Sequence, residues 1–302
     1  MNKLLFSLIF LVALGGCQTA PETVTPSANS APSTPIVLPQ VHGHRGSRGT
    51  HPENTLPAFE EALNSGAQFI ELDLVLSKEG IPVVSHDPVI SADSCLDKNK
   101  KPLSSLAPIR RLTLSQIKSY DCGSVPNPRF PEQKPIPNTQ IPTLEEVLVW
   151  LNKTPNKQVQ LNIETKMTAP QKALEPVPRK FATVVIQLLR KHGWVEKTVL
   201  QSFDFRTLQV ANKMEPKLRL SALFENKSDF CQTTKELGAV IASPQFSWLT
   251  PENVKECHSM GIQLHPWTLN DEGDWKKAIQ MGVDGIITDY PRKLISYLQS
   301  RK

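Results

Sequence analysis

The sequence has few long apolar runs and no concentrated charge. Across 302 residues, only the segment 4–16 is a long charge-free hydrophobic run, and it is too short to cross a hydrocarbon layer of about 30 Å as a helix. The net charge of +5 is small and no block of lysine or arginine occurs, which argues against a nucleic-acid partner. No GxGxxG or Walker-type loop is present, which disfavours a nucleotide-binding sheet. The 39% of hydrophobic residues excludes a disordered or collagen-like chain.

The N-terminal segment has the features of an export signal. A basic start at Lys3 precedes the apolar run, and Cys17 follows Leu14-Gly15-Gly16, the pattern of a bacterial lipobox. We predict a signal peptide over 1–16 and a lipidated Cys17 at the head of a disordered tether, 17–40, rich in Pro, Ser, Thr and Ala. An ordinary signal peptide with a chance cysteine is the alternative. Gln18 in place of aspartate favours an exported protein anchored at the periplasmic face of the outer membrane.

Four cysteines remain after Cys17, an even number that suggests disulfides in an oxidising compartment. Three pairings are possible, and proximity in sequence favours Cys95 with Cys122 and Cys231 with Cys257. Buried free thiols are the alternative. None of the four has CxxC spacing or a neighbouring histidine, so we expect no metal or nucleophilic role for them.

The remaining residues, 41–302, form one domain of a size that suits a β/α barrel, although a doubly wound sheet would also fit. Short β-rich runs alternate with helical patterns, which predicts an α/β fold, a (β/α)8 TIM barrel. The predicted strands are Val41–Arg45, Ala67–Leu74, Val159–Lys166, Thr198–Phe203, Leu218–Phe224, Ala239–Ser243, Ile262–Trp267 and Gly285–Asp289.

Two segments interrupt this alternation. The run 82–86 follows the second strand after only four residues, 77–80, which is too few for a parallel crossover, so it must fold back as a β-hairpin arm. We expect this arm to place His86 roughly opposite Glu71 and Ser85 near Asp73. Residues 88–140 are rich in proline and lack periodicity, and we predict an insertion over the C-terminal face of the barrel, where substrates bind.

Charged side chains are concentrated on the first three barrel strands. Glu71 and Asp73 stand two residues apart and therefore point to one face of their strand, and Glu164 and Lys166 repeat this spacing on the next barrel strand. Three converging carboxylates suit Ca²⁺ or Mg²⁺. Ion pairs of the acidic residues with Arg45 or Lys166 are the alternative.

Histidines and cations accompany these carboxylates. His42 and His44 share one face of the first strand, and we expect His42 to be structural. Arg45 offers a planar fork for phosphate and Lys166 a point charge. Together with imidazoles that can carry protons, these residues describe a site for phosphoester cleavage. Asn54 is expected to cap, with Thr55, the helix that follows.

The ordered motifs of the chain resemble those of the glycerophosphodiester phosphodiesterase family. The motifs are His44-Arg45-Gly46, Pro52-Glu53-Asn54-Thr55, Glu71-Leu72-Asp73-Leu74, Val83-Val84-Ser85-His86-Asp87, Ile163-Glu164-Thr165-Lys166, Ser202-Phe203, Trp267-Thr268-Leu269-Asn270 and the run 282–289 from Gly282 to Asp289. They cover most of residues 41–291, and their shared order is far more specific than any one of them.

The resemblance implies a barrel enzyme that uses a divalent metal, Ca²⁺ or Mg²⁺, to hydrolyse small-molecule glycerophosphodiesters to sn-glycerol 3-phosphate and an alcohol. It assigns residues to roles as follows: His44 and His86 as the general acid/base pair, Glu71, Asp73 and Glu164 as metal ligands, Arg45 and Lys166 as phosphate ligands, and Trp267 as a wall of the substrate pocket. Two other functions remain open: a lipase of the phospholipase D or phosphatidylinositol phospholipase type, and a non-catalytic surface lipoprotein. Protein partners are left open.

Overall fold

Eight parallel strands and the helices between them build the part of the chain that the computed structural model describes, which comprises residues 38–167, 177–226 and 229–301. The predicted signal peptide, Cys17 and nearly all of the predicted tether lie outside the described residues. The strands are β1 (Gln40–Gly43), β2 (Phe69–Leu76), β3 (Pro82–Val84), β4 (Val89–Ile90), β5 (Ala107–Pro108), β6 (Gln160–Thr165), β7 (Thr198–Ser202), β8 (Arg219–Phe224), β9 (Ile241–Pro244), β10 (Gln263–Leu264) and β11 (Gly285–Thr288). Along the sheet, neighbouring barrel strands run in the order β10-β9-β8-β7-β6-β2-β1-β11.

Backbone hydrogen bonds bring the two ends of this sheet together. The amide of Asp284 donates to the carbonyl of Leu264 at 3.0 Å, and the amide of Ile287 donates to the carbonyl of Pro266 at 3.1 Å. The sheet is therefore a nearly closed barrel, which confirms the predicted fold class. The seventh predicted strand, Ile262–Trp267, is regular only at Gln263–Leu264.

The helices pack around this barrel, and local sequence explains where several of them begin and end. The side chain of Thr143 accepts from the amide of Glu146, whose own side chain caps the amide of Thr143, and this capping box begins the third helix. Gly66 ends the first helix with a φ of 89°, a conformation that glycine adopts at little cost. The helices are α1 (Leu56–Ser65), α2 (Leu114–Ile117), α3 (Leu144–Lys153), α4 (Val177–His192), α5 (Phe205–Met214), α6 (Phe230–Glu236), α7 (Pro251–Ser259), α8 (Glu272–Met281) and α9 (Pro291–Gln299). No described helix has both the length and the apolar content needed to cross a membrane.

The hairpin arm is present: β3 pairs with β2 in antiparallel orientation. The pairs Leu74–Val84 and Leu76–Pro82 fix its register, and the amide of Ser85 donates to the carbonyl of Asp73 at 3.0 Å. This register would place His86 opposite Leu72, one residue from the expected Glu71. The difference arises because the turn is centred on Glu79 and closed between Ser77 and Ile81.

Residues 88–140 have more order than their sequence suggests. They contain the pair β4–β5, the short helix α2 and the bonded cysteines Cys95 and Cys122. The buried residues of this part form an apolar cluster of their own together with the hairpin arm: Val75, Val83, Ile90, Cys95, Ile109, Ile117 and Ile141. Cys231 and Cys257 are joined elsewhere, between α6 and α7.

A buried layer of rings fills the barrel interior. The ring of His42 stacks on Phe69 with a centroid separation of 4.0 Å, and His265 meets His42 edge-on at 4.8 Å. Burial lowers the pKa of both histidines, that of His265 to about 4. In this structure His42 is a packing residue.

Candidate active site

His44 lies just after β1, and one carboxylate holds its ring. Nδ1 of His44 is 2.7 Å from Oδ1 of Asp289. Asp289 directly follows β11, the strand that pairs with β1. Arg48 grips the same carboxylate with two hydrogen bonds of 2.8 and 3.0 Å, and the amide side chain of Asn270 donates to it at 2.7 Å. Asp289 therefore fixes the orientation of His44 and leaves its other ring nitrogen, Nε2, 4.0 Å from Glu71.

The chain turns sharply after His44. Arg45 has a φ of 50°, and its amide donates to Oε2 of Glu71 at 2.7 Å. A Cβ atom at Gly43 would lie 2.2 Å from the carbonyl oxygen of Gly46, so the turn requires glycine at residue 43. The turn brings the imidazole and the guanidinium of two adjacent residues to the barrel mouth.

Three carboxylates converge beside this turn. Glu71, Asp73 and Glu164 are buried, and each offers an oxygen that lies within 4.8 Å of those of the other two. Oδ1 of Asp73 is buried and accepts no hydrogen bond within the part of the chain that the structure describes. Because oxygen ligands of this kind suit hard divalent cations, the donor set fits the implied Ca²⁺ or Mg²⁺.

The charges of the triad are only partly balanced by protein cations. Lys166 lies 2.8 Å from Glu164 and 3.5 Å from Asp73, and Nε of Arg45 is 3.4 Å from Asp73. The ion pairs that the sequence left as an alternative therefore exist, but they coexist with a cluster of oxygens of the right size for a cation. Nζ of Lys166 lies over the ring of Phe203, 5.8 Å from its centroid.

The pKa values follow from burial and from these neighbours. Burial, with Asp73 nearby, raises the pKa of Glu71 well above its ordinary value. Burial opposes the ionisation of Asp73, but Lys166 and Arg45 outweigh it and hold the pKa of that carboxyl low. Burial also lowers the pKa of His44 to about 4, although Asp289 partly opposes this shift. A bound divalent cation would favour the ionised form of Glu71, since nearby positive charge lowers a carboxyl pKa.

Neighbouring polar residues hold the carboxylates in place. Gln201 donates to Glu71 at 3.0 Å and Asn54 donates to Asp73 at 2.9 Å, while Glu53 pairs with Arg45 at 2.7 Å. The expectation that Asn54 caps α1 is wrong. Thr55 is the capping residue, and Asn54, at a φ of 58°, points its side chain to Asp73 instead.

His86 follows the hairpin arm and faces the same cavity. Its Nδ1 is 2.8 Å from Oδ1 of Asp87, and about a third of its side chain is exposed. The cavity has a volume of about 200 Å³. Its lining includes all of the predicted acid/base, phosphate and pocket residues and two of the three predicted metal ligands: His44, Arg45, Glu71, His86, Glu164, Lys166 and Trp267. Asp73 stands just behind, in contact with Arg45 and Lys166.

Trp267 forms part of the wall of this cavity. Its Nε1 donates to the carbonyl of Ser243 at 2.8 Å, and its ring meets Phe203 edge-on at 5.7 Å. Both the hydrogen bond and the aromatic contact fix the ring. A fixed aromatic ring thus lines the same cavity as the cations and imidazoles.

Sequence reasoning gave no role to four residues of this site: Asp289, Arg48, Asn270 and Gln201. A signal was available for Asp289, which ends the motif beginning at Gly282 and directly follows a strand. Its meaning depends on barrel closure, which places β11 beside β1. Asn270 ends the motif that begins at Trp267, whereas Gln201 carries no signal beyond its place on a strand.

A β/α barrel that gathers carboxylates, cations and two imidazoles at one mouth has the residues of a phosphoester-cleaving enzyme. Comparison with known proteins narrows this class. Residues 44–293 match the model of the glycerophosphoryl diester phosphodiesterase family. A glycerophosphodiester phosphodiesterase of Bacillus subtilis (strain 168) is 32% identical over 255 residues, 82% of this chain and 82% of that relative.

Solved structures agree with this match. A crystal structure from Silicibacter pomeroyi DSS-3 carrying the same family name superposes with a TM-score of 0.82 and 28% identity, over 86% of this chain and 94% of that one. A phosphodiesterase from Oleispira antarctica, solved in complex with the product sn-glycerol-3-phosphate, gives a TM-score of 0.71 and 26% identity, over 87% of this chain and 97% of that one. The chain belongs to the glycerophosphoryl diester phosphodiesterase family, and it is an enzyme.

Proposed function

We propose that this enzyme hydrolyses glycerophosphodiesters to sn-glycerol 3-phosphate and an alcohol in a metal-dependent reaction, with His44 and His86 as the proton-transfer groups. One observation carries the proposal: both imidazoles line a single cavity with Arg45, Lys166 and the carboxylates. The Oleispira antarctica relative binds sn-glycerol-3-phosphate, which supports the same phosphate-bearing product here.

Glu71, Asp73 and Glu164 would hold the cation, Ca²⁺ or Mg²⁺. When bound, the cation supplies Lewis-acid stabilisation of the phosphoryl oxygens. The buried oxygen of Asp73 that accepts no hydrogen bond from the described residues, and the mutual approach of the three carboxylates, support this assignment.

The protein groups divide the remaining tasks. Arg45 and Lys166 present positive charge to the phosphate. Asp289 holds the His44 ring by Nδ1, so Nε2 is the nitrogen available for proton transfer. Asp87 holds His86 in the same way. Trp267 offers an aromatic face to the glycerol portion.

The histidine assignment is tested by kinetics of single variants. His44→Ala and His86→Ala should each lower kcat by about 10²–10⁴-fold, the usual contribution of a general acid or base. His192→Ala, which removes an imidazole on α4 that bonds to Glu145, is the matched control and should behave as wild type. Near-wild-type turnover by either of the first two variants would overturn the assignment.

The metal assignment is tested by binding. Calorimetric titration of enzyme that has been depleted of metal with a chelator should show one binding site for Ca²⁺ or Mg²⁺. Glu71→Gln and Asp73→Asn should strongly lower the affinity of this site, because each variant removes a charged ligand. Glu61→Gln, which breaks a surface pair with Arg292, is the control. Equal affinities in all four proteins, or activity indifferent to EDTA, would remove the metal from the proposal.

We also propose that the chain is exported and anchored by lipid at Cys17. The lipobox Leu14-Gly15-Gly16-Cys17 and the tether composition support this, and so do two cysteine pairs within bonding distance, which suit an oxidising compartment. Cells expressing the chain should incorporate labelled palmitate into it, and Cys17→Ser should abolish both the label and membrane fractionation. Label in the variant would contradict the proposal.

A further inference from the structure

One short segment of the insertion, residues 130–134, packs against the loop that follows His44. We call this segment the brace. Its residue Gln133 donates a side-chain hydrogen bond to the backbone oxygen of Arg48 at 2.7 Å, and the amide of residue 134 donates to the carbonyl of residue 50 at 2.9 Å. Glu132 pairs with Lys293 of α9 at 2.5 Å. The brace therefore contacts both the loop after β1 and the helix that begins just after Asp289.

A turn places two side chains of the brace next to each other. The amide of Gln133 donates to the carbonyl of Phe130 at 2.9 Å, which closes a four-residue turn with Pro131 at its second position. Proline suits that position because its ring already fixes φ near the value that the turn requires. Closing the turn brings its first and last residues together, so Phe130 and Gln133 both reach Arg48.

Phe130 covers the guanidinium of Arg48. The guanidinium carbon lies 4.7 Å from the centroid of the ring, which is within the range of a cation–π attraction, and Phe130 is itself buried. The same guanidinium donates two hydrogen bonds to Asp289, at 2.8 and 3.0 Å. A ring that keeps water from these bonds strengthens them, because electrostatic attraction grows as the local dielectric falls. The ring thus stabilises Arg48 in the position in which it holds Asp289.

These contacts form a chain from the insertion to an imidazole of the active site. Phe130 and Gln133 contact Arg48. Arg48 in turn holds Asp289, whose Oδ1 lies 2.7 Å from Nδ1 of His44. The backbone gives a second connection, since the amide of Arg48 donates to the carbonyl of His44 at 3.4 Å. A displacement of Arg48 would therefore change the position of the His44 ring.

We infer that Phe130 and Gln133 are positioning residues that keep the imidazole of His44 in the orientation that proton transfer needs. They act through Arg48 and Asp289. The inference rests on the proposed function, which makes His44 a proton-transfer group. Neither side chain of the brace is among the described residues that line the catalytic cavity. The brace should therefore contribute to turnover and leave the binding of substrate and of metal unchanged.

The first test compares variants that keep or remove the aromatic face. Phe130→Leu removes the ring and should lower kcat about 3- to 10-fold, the effect of losing one cation–π contact, with KM and the affinity for Ca²⁺ or Mg²⁺ unchanged. Phe130→Tyr keeps the face and should retain wild-type kcat. Tyr120→Leu is the control, because Tyr120 packs only on the apolar cluster of the insertion among the contacts described, and it should also retain kcat. Equal kcat in Phe130→Leu and the wild type would overturn the inference.

A second background separates positioning from a general weakening of the fold. In Asp289→Asn the connection between Arg48 and His44 is already damaged, so adding Phe130→Leu should lower kcat by less than about twofold more. If the brace stabilised only the fold, Phe130→Leu would lower kcat by the same factor in both backgrounds. That equality would overturn the inference.

The His44 ring can also be observed without substrate. Nitrogen NMR of enzyme with isotope-labelled histidine, assigned with His44→Gln, reports the hydrogen bond between His44 and Asp289. Phe130→Leu should shift or broaden the His44 signals and leave those of His192 unchanged, whereas unchanged His44 signals would overturn the inference. If the wild type hydrolyses no glycerophosphodiester, the proposed function fails, but this measurement still decides whether the brace positions His44. The two failures are therefore distinguishable.

Discussion

The sharpest prediction about turnover concerns the clamp on His44, by which we mean Asp289 with its hydrogen bonds to His44, Arg48 and Asn270. Asp289→Asn keeps the shape of the side chain but replaces one carboxylate oxygen by an NH₂ group. In the wild type both oxygens accept hydrogen bonds, from His44 and Arg48 on one side and from Arg48 and Asn270 on the other. An amide in either orientation therefore confronts at least one N–H donor with another donor.

The size of the effect follows from the bonds that are lost. A hydrogen bond to a charged group contributes about 1.5–3 kcal/mol, and about 1.4 kcal/mol corresponds to tenfold in rate. If that energy orients the imidazole, kcat should fall roughly 10- to 100-fold. The affinity for Ca²⁺ or Mg²⁺ should hardly change, because Asp289 belongs to the clamp and not to the carboxylate triad.

Steady-state kinetics with saturating metal measures this effect, and circular dichroism verifies the fold. Asp284→Asn is a matched control, since it also alters a carboxylate–histidine hydrogen bond, to His258 at 2.9 Å, but at a half-buried residue outside the catalytic cavity. We expect wild-type kcat from the control. If Asp289→Asn also retains kcat within about twofold, the clamp does not position His44 and the reasoning fails.

Two further predictions concern stability and the insertion. The buried pair His42 and His265 has depressed pKa values, so unfolding takes up protons below about pH 6.5 and stability falls from there toward pH 4. At pH 5, the neutral His265 should lower the free energy of unfolding by roughly 2 kcal/mol relative to pH 7.5. The urea midpoint should therefore fall less steeply with decreasing pH in His265→Phe than in the wild type, whereas the exposed His258→Gln should follow the wild type. Identical pH dependence in all three proteins would refute this prediction. Removing the bond between Cys95 and Cys122 in a double Ser variant should cost about 2–4 kcal/mol of unfolding free energy; an unchanged urea midpoint would contradict this prediction.

Much of the fold could be predicted because its signals are local. The β-rich runs and helical patterns are contiguous, and the four residues at 77–80 exclude a crossover, which makes the hairpin arm unavoidable. The carboxylate triad was equally accessible, since side chains two residues apart share a face of a strand. The prediction that Glu71, Asp73 and Glu164 converge follows from β2 and β6 being neighbours.

The rest depended on contacts between distant residues. Asp289 reaches His44 across a separation of 245 residues, and only closure of the barrel brings β11 beside β1. Asn54 is a residue type that often caps helices, and it directly precedes the true cap of α1, Thr55. Its left-handed backbone conformation directs its side chain to Asp73 instead. The insertion escaped periodicity analysis because its order comes from a disulfide and scattered apolar residues rather than from a regular element.

The central claim is that the site converts glycerophosphodiesters to sn-glycerol 3-phosphate with a divalent cation on the carboxylate triad. The most direct measurement is sn-glycerol 3-phosphate released from glycerophosphocholine by the purified enzyme, after EDTA and after Ca²⁺ or Mg²⁺ is returned. The account predicts one equivalent of sn-glycerol 3-phosphate for each choline released, no turnover with chelator and recovery with one of the two ions. Absence of sn-glycerol 3-phosphate from every glycerophosphodiester offered, with metal supplied, would contradict it.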